Sequence, residues 1–144
     1  MAIWHHSFSV QEANALCAHT AMEHLGVEIT AIGDDHISGR MPVDHRTHQP
    51  MGLLHGGASV LLAETLASLG ATGVVDRERF HCVGQEINAN HVRGMRAGWV
   101  TGTARPLHLG HTSQVWDVRL VDEAGKLVCV SRVTMAVLAR PTAG

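Results

Sequence analysis

A helix that is apolar around its whole circumference cannot rest on a protein surface and has to be enclosed. Residues 56 to 70, GGASVLLAETLASLG, are such a segment, and Glu64 is their one charge. They predict a single long helix from Gly56 to about Gly70, roughly 22 Å at the α-helical rise. The enclosing wall is written downstream. Four runs follow, at 81–92, 98–107, 113–121 and 127–138. In the last, Val128, Val130, Arg132, Thr134, Ala136 and Leu138 oppose Leu127, Cys129, Ser131, Val133, Met135 and Val137. Such alternation, rich in β-branched residues, belongs to strands. Asp122 to Gly125 is a hairpin turn, and the four runs read as an antiparallel meander. The fold class is α+β, one antiparallel sheet against one long helix.

Upstream, Ser9 and Glu12 make an S-x-x-E capping box that opens a helical stretch to about His24, with Gly26 as its stop. VEITAIGDDHISGRMPV supplies two short strands around Gly33-Asp34-Asp35, and DHRTHQPMG is a polar loop. The 144 residues are read as one domain, 1–144, with one core. One helix covers one face of five or six strands. Twist, polarity or a second subunit must handle the rest, so a homo-oligomer is expected.

Charge and cysteine usage exclude several classes. Eleven Lys and Arg face 13 Asp and Glu, which leaves no cationic surplus for a phosphate backbone, so no nucleic-acid partner is expected. MAIWHHSFSVQEAN lacks the pattern of a signal peptide. No apolar run approaches the roughly 18–20 residues of a membrane span, so no membrane partner is expected either. Cys17, Cys82 and Cys129 are scattered and form no C-x-x-C. They fit reduced thiols in a cytoplasm. Twelve histidines are many, yet His45/His48 and His108/His111 lie in loops and no H-E-x-x-H occurs. No metal site is expected.

Within the long helix, Gly56 and Gly57 occupy the first turn, where backbone N–H groups lack intrahelical acceptors and the helix dipole is positive. Val60, Glu64 and Ser68 fall on one i, i+4 stripe. Glu64 has no Lys or Arg at i±3 or i±4. An unpaired, half-enclosed carboxylate on a helix with a polarising N-terminus is a candidate for chemistry.

Four blocks, HQPMGLLHGGASVLLAETLAS, GQEINANHVR, RPLHLGHTSQVWDV and SRVTMAVL, together resemble the hotdog-fold acyl-CoA thioesterases. The nearest subgroup holds the 1,4-dihydroxy-2-naphthoyl-CoA, enterobactin-proofreading and Arthrobacter-type 4-hydroxybenzoyl-CoA thioesterases. The resemblance covers residue 25 to the C-terminus, in order and at the right spacing. It implies the hotdog fold, a sheet wrapped around a central helix, in a dimer-of-dimers tetramer. It implies Glu64 as nucleophile or general base and the Gly56 N–H as donor to the thioester carbonyl. Gln49 and His55 would position the thioester or the water, and Ser68 would orient that water.

For coenzyme A, part of the substrate rather than a cofactor, the resemblance implies Gly84, the run His91, Val92, Arg93 and Gly94, and the loop His108, Leu109, Gly110, His111, Thr112 and Ser113. Met51 stands where the resembled enzymes carry an aromatic ring. A softer side chain there implies a pocket open to aliphatic as well as aryl acyl groups. Two other readings stay open: a hotdog dehydratase or hydratase, and a non-catalytic acyl-CoA-binding module. The first would want an Asp/His pair about the helix. The second would have no reason to hold Gln49, Glu64 and Ser68 together.

Overall fold

A computed structural model describes residues 1–141. The capping box forms at its start: Ser9 Oγ accepts the Glu12 N–H at 3.1 Å, and Glu12 Oε2 accepts the Ser9 N–H at 2.6 Å. That backbone donor, ahead of the Ser9 hydroxyl, holds the Glu12 carboxyl below its ordinary pKa. The cap opens α1 (Val10–Cys17), and a cap of this kind contributes about 1 kcal/mol. The helical stretch breaks at His19, φ +59°, and resumes as α2 (Ala21–His24). Gly26, φ +73°, then turns the chain into the sheet.

The hairpin of β1 (Glu28–Ile32) and β2 (Ile37–Pro42) precedes α3 (Gly56–Gly73). Then come β3 (Phe80–His91), β4 (Trp99–Leu109), β5 (Ser113–Val121) and β6 (Leu127–Ala139). The six strands form one antiparallel sheet in the order β1-β2-β4-β5-β6-β3. The expected four-strand meander is therefore only three strands long. The free side of β4 is taken by β2, from Ile37 opposite Ala104 to Pro42 opposite Trp99. That leaves β3 the outer side of β6, with Phe80 opposite Ala139 and His91 opposite Cys129.

The long helix also runs one turn beyond its predicted end. Gly70 is a packing position rather than a stop. A Cβ there would lie 2.8 Å from Trp116 Cη2, so the indole seats directly on the helix backbone. Gly73 serves Phe8 and Trp4 in the same way, with a Cβ 2.6 Å from Phe8 Cε1. Trp116 is fully buried, and its Nε1–H donates to Gln114 Oε1 at 2.9 Å. The Gln114 amide in turn donates to the Ala71 carbonyl at 3.4 Å. A buried polar pair is thus satisfied while it ties β5 to α3.

Leu62 and Leu66 point into the curl of the sheet among Ile37, Met41, Val100, Leu120, Val133 and Met135, all fully enclosed. The sheet does not close around α3. Val60, Glu64, Ser68 and Thr72 stay half-buried along one stripe, on the side that the strands leave open. Among the described residues, no helix is long and apolar enough to cross a membrane.

Candidate active site

Two hollows flank α3, and they divide the predicted site. The first, about 350 Å³, lies at the helix N-terminus and is lined by Gln49, Leu53, Leu54, Gly56, Ser59 and His91–Gly94. His55 is the N-cap: its Nδ1 accepts the Gly57 N–H at 2.8 Å. That bond assigns the ring proton to Nε2, leaving an N–H free on the exposed side. Gln49 is oriented similarly, because its Oε1 accepts the Met51 N–H and its NH₂ remains a donor. Among the described residues no acceptor faces the Gly56 N–H. Two uncommitted donors therefore line one hollow, at the positive end of the helix dipole. The His91 ring closes over them, and a Cβ at Gly56 would come within 2.7 Å of His91 Nε2.

The second hollow, about 550 Å³, runs along the open stripe of α3. Its walls are Leu16 of α1, Met22 of α2, and Val60, Leu61, Leu69 and Thr72 of α3, with Glu64 its one charged group among the described residues. Glu64 is half-buried and, among the described residues, makes no hydrogen bond or ion pair. Its carboxylate lies against β3 at Gly84, where an added Cβ would overlap Oε1. The register of β3 against β6 slips between Gly84 and Glu86. Gln85 is thus an extra residue, and a bulge of this kind re-aims groups beside a site. Ser68 lines the same groove, but its Oγ points at Met135 Sδ, 3.9 Å away, and not at the carboxylate.

Other predicted residues spread further. Val92, Arg93 and Gly94 border the first hollow, and Arg93 is exposed and unpaired among the described residues. His108 to Ser113 lie elsewhere. Leu109, Gly110 and His111 border a hollow with Val74 and Asp76, just past the C-terminus of α3. The 18 residues of α3 span about 27 Å, so the two segments predicted for coenzyme A stand at opposite ends of the helix. Met51 is 71% exposed and lines neither hollow, its carbonyl accepting from Arg96 Nη1 at 3.4 Å. Leu16, Met22 and Thr72 were missed. None of the three carries a mark in the sequence, because only the fold brings Leu16 of α1 and Met22 of α2 beside the open stripe of α3.

A long helix held in a curled antiparallel sheet, with unpartnered donors at its N-terminus and, among the described residues, an unpaired carboxylate on its open face, is the architecture of the hotdog fold. The family profile of the Thioesterase superfamily matches residues 51–129, and the chain belongs to that family. It is 48% identical to the proofreading thioesterase EntH of Cronobacter turicensis over 136 residues, 94% of this chain and 98% of the relative. It is 46% identical to the 1,4-dihydroxy-2-naphthoyl-CoA hydrolase of Escherichia coli over 136 residues, 94% and 99% of the two chains. A crystal structure of a mutant thioesterase from Pseudomonas aeruginosa superposes with a TM-score of 0.95 at 46% identity, covering 96% of this chain and all of the other. The chain is an enzyme that hydrolyses thioesters.

Proposed function

We propose that this enzyme hydrolyses acyl-CoA thioesters, aryl and aliphatic, at sites that two copies of the chain build together. The observation that carries it is the division of the machinery. From Gly56 to Glu64 is eight residues, about 12 Å along the helix. A thioester carbonyl held at the Gly56 N–H of one copy is out of reach of that copy's own Glu64. The open stripe of α3 and the exposed edge of β3 give a second copy a place to bring its Glu64 to the carbonyl. That two-fold pairing closes at a dimer, and a second, different contact between such dimers would make the dimer of dimers that the resemblance implies.

At such a site the Gly56 N–H and the Gln49 amide stabilise the oxyanion. Glu64 takes a proton from water, or attacks the carbonyl itself. In the first route the tetrahedral intermediate expels the coenzyme A thiolate and gives the acid; in the second it expels the thiolate to leave a Glu64–acyl anhydride, which water then hydrolyses, and in both the thiolate is protonated. Arg93, at the rim, suits the nucleotide phosphates. The chemistry needs no cofactor. A dehydratase is disfavoured because it would want an Asp/His pair, and among the described residues no Asp lines either hollow.

Leu16 and Met22 line the wall opposite Glu64 and contact the acyl group. A panel of aryl-, short- and medium-chain acyl-CoAs tests this reading. Met22→Trp fills the groove and is expected to lower kcat/KM for medium-chain relative to short-chain substrates by tenfold or more, since about 10–200-fold follows from one methylene in an apolar pocket. Failure to cleave any acyl-CoA would sink the proposal. An unchanged chain-length ratio would remove Met22 from the acyl pocket.

A further inference from the structure

The thioester site leaves most of the twelve histidines without a role. Among the described residues, one group of three potential metal ligands converges: His5, His6 and Asp76, whose ligand atoms all lie within 4.8 Å of one another. We infer that these three side chains form a binding site for a late first-row divalent cation of the Zn²⁺ type, clasping the N-terminal arm to the turn after α3.

Neighbouring histidines in an extended arm ordinarily point apart. Here His5 Nδ1 and His6 Nε2 meet at 2.9 Å. A tetrahedral Zn²⁺ with bonds of about 2.0–2.1 Å to imidazole has ligand atoms about 3.3 Å apart, so the pair needs only a small opening to reach the separation of two ligands on one ion. On binding, the proton between them moves to the far nitrogen of its own ring. The exposed rings turn so that both lone pairs face the metal, and no net proton is lost.

Asp76 supplies the third ligand and the negative charge. Its Oδ1 accepts the Glu78 N–H at 3.0 Å, which orients the carboxylate, and among the described residues it has no ion-pair partner. Of the neighbouring cations, Arg79 lines the same hollow and lies over the Phe80 ring, 5.3 Å from its centroid, and Arg77 lies over the Phe8 ring, also at 5.3 Å. Rotation of the exposed side chains brings the carboxylate oxygen onto the ion.

The arm is also anchored independently of these side chains. The Ile3 N–H donates to Asp34 O at 2.9 Å, Trp4 Nε1 to Gly33 O at 2.7 Å, and the His5 N–H to Gly73 O at 2.9 Å. Two imidazoles and one carboxylate select Zn²⁺, Ni²⁺ or Cu²⁺ over Mg²⁺ and Ca²⁺, which prefer all-oxygen shells. His5 and His6 are exposed, so a fourth position falls to water.

The test uses the full chain, stripped with a chelator and titrated with Co²⁺ as the spectroscopic stand-in. One saturable equivalent per chain is expected, with the visible bands of a four-coordinate ion, and Zn²⁺ should displace it while Mg²⁺ should not. His6→Ala and Asp76→Asn are each expected to weaken binding at least tenfold, because even outer-shell partners are worth about 10–100-fold in metal affinity. His45→Ala should leave it unchanged. Zn²⁺ should also raise the Tm of the wild type and not that of Asp76→Asn. Binding that is unsaturable, that survives both substitutions, or that falls equally in His45→Ala would overturn the assignment.

Discussion

Glu64→Gln is expected to fold as the wild type does and to lose about 10²–10⁴-fold in kcat, the contribution of a positioned acid–base group. Both halves follow from the setting of the side chain. Its carboxylate is half-buried without a hydrogen bond or ion pair among the described residues. Removing an uncompensated charge relieves desolvation and leaves no partner orphaned. Thermal melts and steady-state kinetics read the two effects separately. Ser68→Ala should cost less, because its hydroxyl faces the Met135 thioether. Single-turnover hydrolysis in ¹⁸O-water then separates the chemical routes. Label in the Glu64 carboxylate indicates an anhydride opened at the glutamyl carbon; label only in the product acid favours a general base. Wild-type turnover in Glu64→Ala would reduce this glutamate to a solvated helix residue.

The second large effect is expected at Gly84, a residue with no chemistry of its own. A Cβ there overlaps Glu64 Oε1, so Gly84→Ala must push the carboxylate away from β3. The Gly84 backbone is not in the left-handed region, and the position is exposed on an edge strand. Alanine should therefore be tolerated by the fold. A displacement of about 1 Å at a reacting group can cost about 10²-fold, and the loss should fall on kcat while KM and Tm hold. A normal kcat would mean that Glu64 does not need the support of β3.

Most of the local structure was legible. The Ser9–Glu12 box, the turns at Gly33–Asp35 and Asp122–Gly125, and the start of α3 are set by neighbours in sequence, and each lies where its pattern put it. Gly70 misled because a glycine ends a helix and admits a tryptophan equally well, and Trp116 is 46 positions away. The placement of β3 beside β6 was hidden for a related reason, since it depends on β2 having already taken the edge of β4. The site was legible as a set of residues and not as an arrangement. Sequence order put Gly56, Glu64 and Ser68 on one helix but gave no sign that the donors and the carboxylate open into different hollows. His5 and His6 met Asp76 only through the fold.

The distance between Gly56 and Glu64 has a genetic consequence. If each site draws its donors from one copy and its carboxylate from the other, lesions in the two halves complement. Glu64→Gln and Gln49→Ala chains, each impaired alone, should regain activity when unfolded together and refolded as a mixture. In a two-fold dimer mixed at random, about one site in four is assembled from two intact halves. Recovery to about that fraction of wild-type kcat is therefore the ceiling of such an experiment. A chain carrying both substitutions on one copy, mixed with wild type, leaves each mixed dimer with two half-damaged sites and no intact one.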